Sequence, residues 1–126
     1  MFGIMNMTND GTTYSQRDII FVYFPFSDFT KIKKRPAIVL SNSRFNMQHK
    51  DVLCCALSSN IAECEPAVKV TNDDLEFGTL HYPSVIKLAK LFSLEKTQIL
   101  YKIGRLNMNK SKETVADLYS FISIVE

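Results

Sequence analysis

The sequence predicts a single α+β domain in which short strands precede one amphipathic C-terminal helix. The chain has 126 residues, of which 46% are hydrophobic and 22% are charged, and this balance is typical of one globular domain. Short apolar runs rich in β-branched and aromatic residues alternate with polar turns over most of the chain. Near its end the hydrophobic period changes from that of a strand to that of a helix.

The domain is predicted to begin after a polar tail. Residues 1–16 show no hydrophobic period and are expected to be flexible, which leaves 17–126 as the folded domain. The first strand is predicted over 19–24, a continuous β-rich apolar run that Pro25 ends.

A basic loop and a second strand are predicted next. The loop, 25–34, becomes basic towards its end. Pro36 biases Arg35 towards an extended backbone, and the apolar run 37–40 is predicted to be the second strand. A polar connection over 41–50 leads to the third strand.

Three strands and two turns are predicted over the middle of the chain. The strands are expected at 52–57, 67–70 and 85–88. The acidic segment 71–78 is predicted to be a turn, and 91–96 a turn or a single helical turn.

The last strand and the helix complete the domain, which brings the predicted strands to five or six. The strand is expected over 99–106, with a bulge or bend at Gly104. The helix is predicted to begin at Ser111 as its N-cap, with Glu113 in the first turn. One helical stripe is formed by the apolar residues Val115, Leu118, Tyr119, Ile122 and Val125.

The cysteines and the absence of targeting patterns indicate a reducing compartment. Cys54, Cys55 and Cys64 form no metal-binding spacing and are interpreted as small buried hydrophobes, the first two on opposite faces of a strand. No apolar run approaches the roughly 18 residues of a membrane helix, and no secretory signal is evident. A cytoplasmic location without membrane association is therefore expected.

Charge is distributed unevenly along a chain whose net charge is only +2. Residues 31–50 hold six basic residues and no acid, and 87–112 hold seven against one Glu. The segment 63–76 is instead acidic. If the two basic segments meet in space, they form a patch for a polyanion; otherwise they are ordinary solvated faces.

Few patterns of enzyme chemistry are present. The chain has no Gly-rich phosphate loop and no metalloprotease motif, and neither His49 nor His81 lies near a candidate nucleophile in sequence. Arg35 could offer a phosphate a planar fork of donors, and Ser58 could donate or accept a hydrogen bond. Unpaired bases could stack on exposed aromatic side chains among Phe24, Phe26, Phe29 and Phe45, although Phe24 and Phe26 are also interpretable as core residues.

Seven segments, in order and spacing, resemble the PemK/MazF toxins. The resemblance covers residues 17 to about 124 and is strongest where a basic loop precedes Arg35-Pro36 and where Ser58 follows the third strand. The matching segments are 17–28, 34–41, 57–61, 77–80, 83–86, 90–96 and 103–106.

The resemblance implies a fold, a function and partners. The fold is a small, strongly curved, SH3-like antiparallel β-barrel with a C-terminal helix, and the assembly is a homodimer. The function is that of the toxin of a type II toxin–antitoxin pair, a metal-independent endoribonuclease that needs no cofactor. It cleaves single-stranded mRNA through attack of the 2′-hydroxyl, which leaves a 2′,3′-cyclic phosphate. The antitoxin is expected to be a small acidic chain with a disordered tail.

The resemblance also implies site residues. Arg35 corresponds to the family's arginine before proline and would stabilise the phosphorane, and Ser58 would hydrogen-bond the scissile phosphate. Substrate contacts are expected from Lys31, Lys33, Lys34, Ser59, Asn60 and Lys87.

Two departures from the family leave the catalytic base open. Relatives carry a Glu or His in the loop, where this chain has Phe29 and Thr30; Asp28 is the nearest acid. Lys87 and Ala89 stand where many relatives carry Arg and Asp. The alternative function is that of a non-catalytic relative that binds RNA, an antitoxin or DNA gyrase.

Overall fold

A strongly curled antiparallel sheet with two helices forms the described part of the chain, residues 13–24, 33–61 and 66–125 of this computed structural model. The strand order across the sheet is β4-β6-β3-β2-β1-β7-β5. The elements are β1 Asp18–Tyr23, β2 Lys34–Val39, α1 Ser43–Gln48, β3 Asp51–Ser58, β4 Ala67–Val70, β5 Leu75–Gly78, β6 Ser84–Glu95, β7 Ile99–Leu106 and α2 Met108–Ile122. The predicted class, a curved antiparallel sheet followed by a helix, is confirmed.

Irregular pairing gives the sheet its curl. Along β3, Cys55 pairs with Leu91 but Ala56 pairs with Lys87, so β6 carries extra residues at this point. Between β1 and β7 the register also shifts, from Ile19 opposite Gly104 to Ile20 opposite Lys102. Because bulges bend the strand and increase its twist, the ends of the sheet turn towards each other. The bend predicted at Gly104 lies at this shift.

Two apolar clusters cover the two faces of the sheet, because successive side chains of a strand point to opposite sides. The first cluster contains Ile20, Val22, Val52, Cys54 and Phe92 among its buried members. The second contains Ile19, Ile38, Cys55, Ile86 and Leu106.

The adjacent cysteines confirm the predicted division of the two faces. Cys54 and Cys55 are free thiols in different clusters. Burial raises the pKa of both thiols, that of Cys55 to about 12, so both remain protonated and unreactive. Cys64 lies outside the described residues.

The folded core begins before the predicted boundary at residue 17. Tyr14 is buried in the first cluster, and its carbonyl accepts a hydrogen bond from Asn46 Nδ2 (3.2 Å). Tyr14 therefore belongs to the domain rather than to the tail, and residues 1–12 lie outside the described residues.

Three stretches of the chain differ from their sequence predictions, and the described sheet has seven strands instead of five or six. The predicted turn at 71–78 is a 3-10 turn followed by β5, and the predicted turn at 91–96 is the second half of β6 through Glu95. The connection 41–50 contains α1, which has no apolar stripe. This helix is fixed by polar contacts: Asn42 caps its N-terminus (2.9 Å to Phe45 N), and Asn46 is buried.

The C-terminal helix exposes the apolar stripe that the period predicts to be buried. Its N-cap is Asn107, which accepts from Lys110 N (2.8 Å), so neither Ser111 as the cap nor Glu113 in the first turn is correct. The buried side is centred on Thr114, whose hydroxyl donates to the Lys110 carbonyl (2.7 Å). Leu118 is half-buried, whereas the exposed residues of the stripe are Val115, Tyr119, Ile122 and Val125. The helical period identifies an apolar face but does not determine what covers it.

Buried ion pairs join β1 to β7 and reach β5. The fully buried Asp18 carboxylate accepts from Arg105 Nε (2.8 Å) and lies 3.0 Å from Lys102 Nζ. Arg17 and Arg105 both approach Glu76, at 2.9 and 3.8 Å. We call these five residues the Asp18 cluster. No helix in the described ranges is long and apolar enough to cross a membrane.

Candidate functional site

An open groove of about 890 Å³ lies where the curled sheet meets the loops that follow β3 and β5. The strands β1, β2, β3, β6 and β7 all contribute to it. Its lining includes cationic side chains, hydroxyls and aromatic rings, which is a combination typical of nucleic-acid sites.

Most of the described residues that sequence analysis selected line this one groove. Those present in it are Lys33, Arg35, Ser58, Ser59, Asn60 and Lys87. Lys34 does not line it; its Nζ lies 5.8 Å from the centre of the Tyr23 ring. Lys31 and Asp28 lie outside the described residues.

Arg35 is presented to the groove by the start of β2. It pairs with Val22 of β1 and is held extended by the proline that follows it. The side chain is exposed, and no described residue forms a hydrogen bond or ion pair with its guanidinium. The planar donor fork is therefore available to a phosphate.

The end of β3 supplies the polar side of the groove. Ser58 Oγ accepts a hydrogen bond from the backbone N–H of Asn60 (3.1 Å), which forms a local turn just after the strand. Ser58 can still donate its hydroxyl proton, because it is the acceptor in this contact. Ser59 and Asn60 follow immediately and also line the groove.

Two basic segments that are far apart in sequence meet in the groove. Lys33 and Arg35 come from the first segment, and Lys87, Lys90 and Lys102 come from the second. Among the described lining residues there is no Asp or Glu. The condition set by the sequence for a polyanion site is thus met, and the groove favours a negatively charged ligand.

Aromatic rings are exposed beside these cations. Tyr101 is 55% exposed and stacks on Phe21, with ring centres 5.2 Å apart, and Tyr82 is 69% exposed. Phe24 packs edge-on against the core residue Phe92 (5.5 Å), as its interpretation as a core residue expects, although it also reaches the groove. The ring of Phe45 lies elsewhere, and Phe26 and Phe29 fall outside the described residues.

Sequence reasoning assigned no site role to the groove residues of the loop after β5, Thr79 to Tyr82. Asn72 clamps this loop: its Oδ1 accepts from Leu80 N (2.7 Å), and its Nδ2 donates to the Leu80 carbonyl (3.1 Å). Ser84 Oγ donates to the Tyr82 carbonyl (3.0 Å). A loop far from the other site residues is therefore fixed against the groove.

The close approach of β5 and β7 also positions this loop. Gly78, the last residue of β5, has φ +94°, and a Cβ there would lie 2.4 Å from Gly104 Cα. Both positions therefore require glycine. This explains Gly104 better than a bend alone, and the pairing is a three-dimensional fact that the sequence does not display.

Lys90, Lys102 and Tyr101 are the other site residues that were given no role. The two lysines lie in the basic segment 87–112, so charge distribution was the signal that could have found them. Tyr101 lies on a strand that sequence analysis located correctly, but its facing is set by the register shift in β7.

No metal site is evident in the ranges that the structure describes. They contain no group of three or more His, Cys, Asp or Glu residues that could hold an ion.

Comparisons with known proteins agree with this fold. The sequence profile of the PemK-like, MazF-like toxins of type II toxin–antitoxin systems matches residues 15–122, and the chain belongs to this family. A comparison with curated proteins gave no significant match.

Solved structures share the architecture at low sequence identity. The MazF structure from Deinococcus radiodurans has a TM-score of 0.70 at 16% identity, covering 90% of this chain and 99% of that one. The Mycobacterium tuberculosis toxin MazF-mt6 gives 0.69 at 15% identity, covering 87% and 100%. A mycobacterial endoribonuclease in complex with its cognate antitoxin gives 0.69 at 11% identity, covering 91% and 98%. At these identities the likeness establishes the fold.

Proposed function

We propose that this toxin is an endoribonuclease that cleaves single-stranded RNA at short sequences without a metal ion. The observation that carries the proposal is the meeting of Arg35, Ser58 and the groove cations in one open site. Family membership and the mycobacterial endoribonuclease of the same fold support it.

The chemistry uses the substrate's own nucleophile. The 2′-hydroxyl attacks the adjacent phosphorus, and a 2′,3′-cyclic phosphate and a free 5′-hydroxyl result. The guanidinium of Arg35 stabilises the charge of the phosphorane, and the Ser58 hydroxyl donates to a phosphate oxygen. Lys33 and Lys87 hold flanking phosphates, while Ser59 and Asn60 contact phosphate or base. Lys31 and Lys34 are proposed as outer phosphate contacts.

Single-stranded RNA suits this groove because unpaired bases can stack. Tyr101, supported from below by Phe21, offers an exposed ring beside the cations. Stacking of this kind is worth about 1–3 kcal/mol per base and tolerates many sequences.

The proposed partners follow from the same surfaces. An acidic antitoxin tail would neutralise the groove cations, and the related mycobacterial enzyme was solved with its antitoxin. A second copy of this chain would cover the exposed apolar residues of α2, of which Tyr119 is 71% exposed. We place this assembly in the cytoplasm, where the free thiols of the core would stay reduced.

Cleavage of a long unstructured RNA in excess EDTA tests the proposal. The wild type should give discrete fragments that end in a 2′,3′-cyclic phosphate. Arg35→Ala should lower the rate by about 100- to 1000-fold because it removes a donor to the developing charge. Arg44→Ala is the matched control, since Arg44 is exposed on α1 and does not line the groove.

The result also separates the proposal from a non-catalytic binder. An Arg35→Ala variant that folds and cleaves like the wild type would contradict the role of Arg35. The absence of cleavage by folded, antitoxin-free wild type would contradict the enzyme and direct the next assay to RNA binding or gyrase inhibition.

A further inference from the structure

His81 is the one groove-lining side chain in the described residues that accepts a proton at neutral pH. From this we infer that His81 is the general base of the cleavage, removing the proton from the attacking 2′-hydroxyl. The inference rests on the proposed ribonuclease function and supplies the base that the family resemblance left open.

Elimination among the described lining residues leads to this histidine. The lysines and Arg35 already carry their protons, and the lining serines, threonine, tyrosines and asparagine are very weak bases. The described lining holds no carboxylate. Imidazole is the side chain that gains and loses a proton near neutrality, which is what general base catalysis requires.

The fold holds His81 in place while leaving its ring open. Its neighbours in sequence are both fixed through backbone groups, Leu80 by two hydrogen bonds to Asn72 and Tyr82 by one from Ser84. Leu80 is also buried in the second cluster, which anchors the loop to the core. The imidazole itself forms no hydrogen bond or ion pair with any described residue, and it is exposed to the groove. A pinned backbone with an unoccupied ring is the arrangement expected of a residue that works on a bound substrate.

His49 shows what a histidine without this role looks like in the same chain. Its ring stacks on Phe45 with centres 4.0 Å apart, and its Nδ1 lies 3.0 Å from the Phe45 carbonyl. It does not line the groove. Its contacts are local to α1, so it provides a control for removing one imidazole.

The step balances without any further reactant. A neutral His81 nitrogen takes the 2′-hydroxyl proton as the 2′-oxygen bonds to phosphorus. The P–O5′ bond breaks, its electron pair leaves on the 5′-oxygen, and this oxygen takes a proton from water. The imidazolium then returns its proton to the hydroxide so formed. The charged groups facing the same groove are Lys33 and Arg35 from β2, Lys87 and Lys90 from β6, and Lys102 from β7.

The experiment compares the wild type with His81→Gln and His49→Gln on the RNA cleaved in EDTA. His81→Gln should lower kcat/KM by at least about 100-fold, whereas His49→Gln should leave it unchanged. In the wild type, log kcat/KM should rise with pH and level off as the imidazole loses its proton. This rise should disappear in His81→Gln and persist in His49→Gln. Exogenous imidazole should restore part of the activity to His81→Ala.

Two measurements exclude a merely structural role. Thermal unfolding of His81→Gln should match that of the wild type. Its affinity for the same RNA with 2′-O-methyl groups, which cannot be cleaved, should also be unchanged.

The outcomes keep the two proposals distinguishable. A cleaving wild type with a cleaving His81→Gln variant that has the same pH profile overturns the role of His81 and leaves the ribonuclease in place. A variant that loses cleavage only because it binds the methylated RNA more weakly also overturns the base. A wild type that cleaves no RNA overturns both proposals.

Discussion

Two groups of basic residues lie side by side in this protein, and they differ in what neutralises them. In the Asp18 cluster, two carboxylates hold three cations at distances of 2.8–3.8 Å. In the groove, Arg35 and Lys90 make no ion pair with any described residue. The same residue types therefore hold strands together in one place and await a ligand in the other.

The position of acids decides which cations are available. Asp18 is fully buried between β1 and β7, so its partners stabilise the sheet. Net charge alone, +2 for the chain, would not distinguish the two regions. The comparison shows that a basic patch becomes a candidate binding site only after its internal pairs have been subtracted.

Lys102 connects the two regions. Its Nζ is 3.0 Å from Asp18 Oδ2 and 3.3 Å from the Thr13 carbonyl, yet its side chain also lines the groove. Loss of the Asp18 cluster should therefore affect both stability and the groove.

The largest expected effect comes from removing the carboxylate of the cluster. Asp18→Asn should lower the free energy of unfolding by about 3 kcal/mol, because it leaves two partly buried cations without their counter-charge. Urea unfolding followed by circular dichroism measures the change. The matched control is Asp117→Asn, an exposed carboxylate on α2, which should change stability by less than about 0.5 kcal/mol. Equal effects of the two substitutions would show that the cluster is not the structural half of the comparison.

A smaller effect is expected from removing one groove cation. Lys90→Ala should reduce the slope of log K against log salt for single-stranded RNA by about 0.7, the value for one phosphate contact. Lys110→Ala should leave the slope unchanged, because Lys110 is paired with Glu113 (3.0 Å) and lies outside the groove. Fluorescence anisotropy with non-cleavable RNA at several salt concentrations measures both slopes. Parallel lines for Lys90→Ala and wild type would mean that unpaired groove cations do not contact RNA.

Much of the fold could be predicted from local patterns. The continuous apolar run of β1 and the alternation in β4 are properties of a few consecutive residues, and both strands form where expected. β5 was missed because its four residues are mostly exposed and acidic in context, and it is stabilised by pairing with β7. α1 was missed for a similar reason, since Asn46 rather than an apolar stripe anchors it.

The site divides along the same line. Arg35 and Ser58 were accessible because each is adjacent in sequence to a recognisable strand, and both line the groove. His81 has no such neighbour. It reaches the groove through the Asn72 clamp and the contact of two glycines, both of which exist only after folding. The exposed stripe of α2 carries the opposite lesson, since a clear period did not reveal which side the core would cover.

The smallest expected effect sharpens the comparison inside the Asp18 cluster, where one acid is buried and the other exposed. A hydrogen bond from Arg17 lowers the pKa of Glu76 below its ordinary value of 4.5, and the charges of Arg17 and Arg105 act in the same direction. A carboxyl whose pKa is lower in the folded state contributes stability above the unfolded pKa and loses it as pH falls through the folded pKa. The difference in unfolding free energy between wild type and Glu76→Gln should therefore be largest near neutral pH and shrink below pH 4.5.

Urea titrations at several pH values measure this difference, and a double-mutant cycle assigns it. Arg17 has φ +80°, which asparagine tolerates well, so Arg17→Asn removes the guanidinium with little backbone strain. In that background Glu76→Gln should lose most of its pH dependence, because the first-ranked cause of the shift is gone. A pH dependence that survives Arg17→Asn would assign the shift to Arg105 instead, and the exposed carboxylate would then act on β7 rather than on the residue that precedes β1.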